Sequence, residues 1–146
     1  MPMEQVCSGG CSCGAVRYEA TGEPLRVSVC HCKECQRRTG SAFGISCYFP
    51  EKSVKILQGT LKSYQRLSDE GRWFKTQFCD VCGSTVLWHL EVLPEAIGIA
   101  GGTLDVTDWL NPRLHVWASS AQKWIRFPDD AEVLQKSNIG LGHLDV

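Results

Sequence analysis

Along most of the chain apolar and polar residues alternate, the two-residue period of a half-buried β-strand. The alternation is clearest in AVRYEA (15–20), AFGISCY (42–48), LKSYQRL (61–67) and RWFKTQF (72–78). Between the last two, SDEG (68–71) supplies turn residues at hairpin length, so Leu61 to Phe78 is expected to fold back on itself. TVLWHL (85–90) and EAIGIA (95–100) read as further strands split by a proline turn at Pro94, and RLHVWASS and KWIRF are expected to close the core with Trp117 and Trp124. No stretch repeats apolar residues at i, i+3, i+4 and i+7 for three turns, which confines helix to one or two turns after Cys32 and around Val106 to Leu110. The expected class is therefore mainly β. A single domain is expected over residues 1–146, with a polar tail from Asp129 that frays.

Composition narrows the function. With 43% hydrophobic and 21% charged residues, the 146-residue chain has what a packed core needs. A formal net charge of −1 gives no basic field to gather phosphate backbones, which disfavours nucleic acid as a partner. No run of about 18 apolar residues and no basic-then-apolar leader is present, so neither a membrane nor export is expected, and the compartment expected is the cytoplasm.

Nine cysteines is a high count, but it is odd, and in a reducing compartment metal thiolates explain it better than disulfides. Seven of them cluster: Cys11 and Cys13; Cys30, Cys32 and Cys35; Cys79 and Cys82, with Cys7 and Cys47 left over. Cys13 and Cys82 are each followed by glycine, in CSCGA and CDVCGS, where a positive φ lets backbone amides turn toward the sulfurs. Paired, these two dyads give four thiolates, the complete shell of a structural zinc ion.

The middle cluster lacks that glycine and runs on into Gln36, Arg37 and Arg38. Three thiolates without an evident fourth protein ligand would leave one position for an incoming thiol, the arrangement catalytic zinc requires. The two arginines could attract a carboxylate-bearing substrate there. Two alternatives stay open at this point: a second closed site completed by Cys7, Cys47 or His31, and a zinc ribbon pairing Cys32 and Cys35 with Cys79 and Cys82. His31 is read as pointing away from the metal, His89 and His115 as hydrogen-bonded strand residues, and His143 as part of the tail. GGTLD (101–105) is read as a turn, without the length or lysine of a phosphate loop.

The succession GGCSCGAVRYEA, CHCKECQRRTGSAF, FCDVCGSTV, GGTLD and PRLHVWASSAQKW resembles the glutathione-dependent formaldehyde-activating enzyme family, also called the centromere protein V family, from about Gly9 to Trp124. The resemblance implies an Mss4-like fold of β-hairpins and small sheets. It implies two zinc ions per chain, a structural one at Cys11, Cys13, Cys79 and Cys82 and a catalytic one at Cys30, Cys32 and Cys35. It also implies a carbon–sulfur lyase reaction in which glutathione, or another small thiol, adds to formaldehyde or a similar electrophile. The rival expectation is a non-enzymatic zinc scaffold that binds a protein partner.

Overall fold

The computed structural model describes residues 5–137. Among them the chain forms strands β1 (Val6–Gly10), β2 (Arg17–Thr21) and β3 (Arg26–Cys30), helix α1 (Lys33–Thr39), then β4 (Gly44–Pro50), β5 (Val54–Gln58), β6 (Leu61–Leu67), β7 (Trp73–Cys79), β8 (Thr85–Leu90), β9 (Leu93–Ala100), β10 (Leu114–Val116) and β11 (Glu132–Val133). The mainly β expectation is met.

The strands build two sheets. A small one has the order β1-β2-β5, and a large one runs β11-β10-β3-β4-β9-β8-β7-β6. Every pairing is antiparallel except those of β10, which lies parallel to both β3 and β11. The expected 61–78 hairpin forms, with Leu67 opposite Trp73 and Leu61 opposite Cys79.

The large sheet is apolar on both faces at its centre, which is why β4, β8 and β9 carry near-continuous apolar runs. On one face Cys47, Phe49, Val86, Ile97 and Ile99 pack with Tyr18 and Ala20 of the small sheet and with Val16, which leads into β2. On the other, Tyr48, Trp88 and Leu90 pack with Leu25 and Phe74. Trp88 lies so close over Gly98 that a Cβ there would collide with its indole ring.

Four expectations are corrected. The turn before β9 is made by Glu91 and Val92, and Pro94 sits inside the strand as its second residue. Val106–Leu110 is not helical; a single turn there brings the Leu110 N–H to the Thr107 carbonyl at 2.9 Å. Trp124 does not close the core: it is 64% exposed, and Lys123–Phe127 is irregular rather than a strand. The segment after Asp129 is not all tail, since Glu132 and Val133 pair with β10; residues 138–146, including His143, lie outside the described residues.

Candidate metal centre

The described cysteines are all free, and seven of them gather into two groups whose sulfurs lie within 4.8 Å of one another. The first is Cys11, Cys13, Cys79 and Cys82. Cys11 and Cys13 come from the turn joining β1 to β2, Cys79 ends β7, and Cys82 lies in the turn to β8, so the group bridges the two sheets. The knuckle glycines behave as the sequence suggests: Gly14 and Gly83 have φ of 82° and 79°. Amides then turn inward, with Val16 N–H donating to Cys11 Sγ at 3.2 Å and Val81 N–H to Cys79 Sγ at 3.3 Å. The Ser84 hydroxyl lies 3.2 Å from Cys82 Sγ and holds that thiol down to about 5, aided by backbone hydrogen bonds.

The donor set fits zinc. A tetrahedron with Zn–S near 2.3 Å has sulfurs about 3.8 Å apart along each edge, and Cys11–Cys13 and Cys13–Cys79 are separated by 3.6 and 3.8 Å. Disulfide bonding, at about 2.05 Å, is far shorter.

The second group is Cys30, Cys32 and Cys35. Cys30 closes β3 between Gly44 of β4 and Val116 of β10, and Cys32 caps α1, accepting from the Cys35 N–H at 3.3 Å. In the bare trio, hydrogen bonds from Cys30 and Cys35, with Arg66 nearby, push Cys32 toward thiolate, while the same contacts and burial push Cys30 the other way. No fourth His, Cys, Asp or Glu belongs to the group among the described residues. Cys32 and Cys35 do not join Cys79 and Cys82, so the ribbon pairing is not the one found. Cys7 and Cys47 stand outside both groups; Cys47 is fully buried, and burial pushes its thiol up to about 12.

His31 is absent from the trio as well. Its buried ring turns into the interior, where Nε2 meets His115 Nδ1 at 2.9 Å and Phe127 lies edge-on to both imidazoles. Beneath the trio, Gln36 is buried and donates from Nε2 to the His31 and Ser120 carbonyls, both at 2.9 Å. His89 bonds to Gln77 at 3.1 Å.

A cleft of about 450 Å³ opens beside the trio, lined by Glu34, Cys35, Arg37, Arg38 and one face of the β6–β7 hairpin. That face carries Tyr64 and Arg66 from β6 and Phe74, Thr76 and Phe78 from β7, as the two-residue period dictates. The Arg38 guanidinium carbon lies over the Trp88 ring, 4.3 Å from its centroid, and Arg37 reaches Glu34 at 3.7 Å. A second cavity of about 390 Å³ shares Arg38, Gly83 and Thr85 with the first and continues to Gly101–Thr103. Tyr64, Arg66 and Phe74 carry no motif that marks them in the sequence. Their only signal is same-face spacing on two strands of the expected hairpin, and it is the placement of that hairpin against α1 that brings them beside the cysteines.

The sequence model of the glutathione-dependent formaldehyde-activating enzyme family matches residues 6–120. The chain belongs to this family. Its fold is similar to the crystal structure of a Rhodobacter sphaeroides protein at 28% identity and a TM-score of 0.54, over 73% of this chain and 92% of that one. The matched span holds both cysteine groups and every residue that lines the cleft. No helix among the described residues is long and apolar enough to cross a membrane.

Proposed function

We propose that this chain is a zinc-dependent carbon–sulfur lyase that adds the thiol of glutathione to formaldehyde, and cleaves the adduct in reverse. The single observation that supports this most is the contrast between the two cysteine groups. One offers four sulfurs; the other offers three, of which Cys35 lines an arginine-rich cleft.

In the forward direction the thiolate sulfur attacks the aldehyde carbon, the C–S bond forms, the carbonyl π pair moves to oxygen, and that oxygen takes up a proton. Zinc held by Cys30, Cys32 and Cys35 would supply a centre that favours the thiolate form of the incoming thiol. The chain's own residues do the rest. Arg38, with no carboxylate partner among the described residues, draws a substrate carboxylate toward Cys35. Arg37, at the rim, adds to the same field. Thr76 and Thr85 give the cleft neutral polar groups, and Gln36 fixes the loop that carries the trio. Holding the thiol against the aldehyde converts an encounter of two molecules into a reaction within one complex. The second zinc, at Cys11, Cys13, Cys79 and Cys82, belongs to folding.

The test substitutes cobalt for zinc and titrates with glutathione, following the sulfur-to-cobalt bands, while exchange spectroscopy measures the rate of adduct formation. A shift in the bands together with exchange faster than in buffer supports the proposal. Unchanged bands and an unaccelerated rate would leave a closed metal scaffold instead.

A further inference from the structure

Arg66 has no part in the chemistry above, yet its placement is unusual. It belongs to β6, an edge strand whose residues are mostly exposed, but its side chain is only 23% exposed. The guanidinium lies over Phe74, 4.6 Å from the ring centroid. Phe74 in turn stacks with Trp88 at 6.4 Å and 25°, and Trp88 carries Arg38. Two arginines of one cleft are thus mounted on a single pair of stacked rings. Stacking fixes each planar fork before a ligand arrives, so less side-chain freedom is lost on binding.

The two arginines differ in one respect. Arg38 has no carboxylate neighbour among the described residues, whereas Arg66 faces Glu34, which it shares with Arg37, at 3.7 Å in each case. Charge-assisted hydrogen bonds run at about 2.7–2.9 Å, so both contacts are loose ion pairs. Glu34 is itself half exposed, and such pairs contribute little. A ligand carboxylate that meets Arg66 in bidentate geometry would hold it better than Glu34 does. The charges agree: three arginines and one glutamate line the cleft, a surplus of two positive charges.

We infer that Arg66 is a specificity-determining residue that reads a second carboxylate of a dicarboxylate thiol while Arg38 reads the first, and that Glu34 is an internal competitor which the ligand displaces from Arg66. This rests on the reading of the cleft as the thiol site. A thiol with one carboxylate engages Arg38 alone, and a neutral thiol engages neither.

The test separates the clamp from the metal by using S-methylglutathione, which keeps both carboxylates but has no free thiol. Its binding to the zinc-loaded parent, Arg66→Gln and Glu34→Gln is measured by calorimetry. Arg66→Gln is expected to weaken binding at least tenfold, and Glu34→Gln to tighten it about threefold. In parallel, cobalt-substituted parent and Arg66→Gln are titrated with glutathione, 3-mercaptopropionate and 2-mercaptoethanol. The ratio of glutathione affinity to each of the other two should fall about tenfold in the variant. Equal weakening toward all three thiols would make Arg66 merely structural and overturn the inference, as would S-methylglutathione binding that ignores Arg66 or weakens in Glu34→Gln. Arg66-dependent binding of S-methylglutathione to a protein whose cobalt bands ignore every thiol would sustain the clamp and sink the open metal site.

Discussion

The imidazoles of His31 and His115 meet in the interior, Nε2 to Nδ1 at 2.9 Å, across 84 residues of sequence. Burial holds both below the ordinary histidine range, so they stay neutral near pH 7, one donating and the other accepting. The pair joins β10 to the cysteine loop and keeps His31 out of the cysteine group despite its place between Cys30 and Cys32. Replacing His115 with Leu leaves His31 Nε2 buried without a partner, which costs about 1–3 kcal/mol. Denaturant unfolding at fixed zinc should report that loss, while metal content per folded chain stays at the parent value.

The two cysteine groups should respond differently to serine. The tetrad links the β1–β2 turn to the β7–β8 turn, so Cys82→Ser removes a tie between sheets. Metal binding in small structural sites contributes about 10–16 kcal/mol, comparable to or above the whole stability of a domain, about 5–15 kcal/mol. Cys82→Ser is expected to unfold the protein at room temperature. Cys30→Ser, Cys32→Ser and Cys35→Ser should each lose one zinc and keep the β circular-dichroism spectrum, because the trio lies within one stretch of chain already held by Gln36. Equal unfolding in both sets would overturn this division.

His89 gives the pH prediction. Burial and then Lys75 hold its pKa below the ordinary value near 6.5, against the opposing pull of Glu51. Below pH 6.5 the unfolded chain takes up a proton that the folded chain resists, so stability rises with pH through that window. The contribution is complete above about 6.5 and is lost as pH falls toward the folded value. Unfolding free energies at pH 7.5 and 5.5 should differ more in the parent than in His89→Gln. Acid also strips metal from thiolates, but that effect is common to both proteins and cancels in the comparison.

Gly98→Ala tests the mounting of Arg38. A Cβ at position 98 drives into the Trp88 indole, and overpacking of this kind costs about 1–3 kcal/mol. The displaced ring would carry Arg38 with it. A lowered melting temperature and weaker glutathione binding are expected together, although residue 98 does not line the cleft.

Much of this was legible in the sequence where pattern and burial coincide. LKSYQRL and TVLWHL give their strands residue for residue, and the glycines after Cys13 and Cys82 mark the closed group. Elsewhere burial ran against type. In β3, Arg26 and Ser28 are buried while Val27 is only half-buried, which hides the strand from a hydrophobic reading. β5 is almost wholly exposed and exists through its pairing with β2, and β1 ends in two glycines of weak strand preference. Trp124 misled because a large apolar residue is usually core; here its indole N–H bonds to Gln122 at the surface, and Phe127 fills the place beside the histidines. The expected hairpin places Arg66 beside β7, but no pattern in the sequence shows that this face of the hairpin lies against α1, which supplies its cleft neighbours Glu34, Cys35 and Arg38.

The tetrad's two halves are separated by 65 residues, from Cys13 to Cys79 in sequence, and they belong to different sheets. If the tetrad holds a structural zinc ion as proposed, a newly made chain finishes folding only after that ion has been captured, and a chain in a zinc-starved cell stays unlatched and open to proteases. The abundance of this protein would then follow the supply of a nutrient, whatever happens to its transcript.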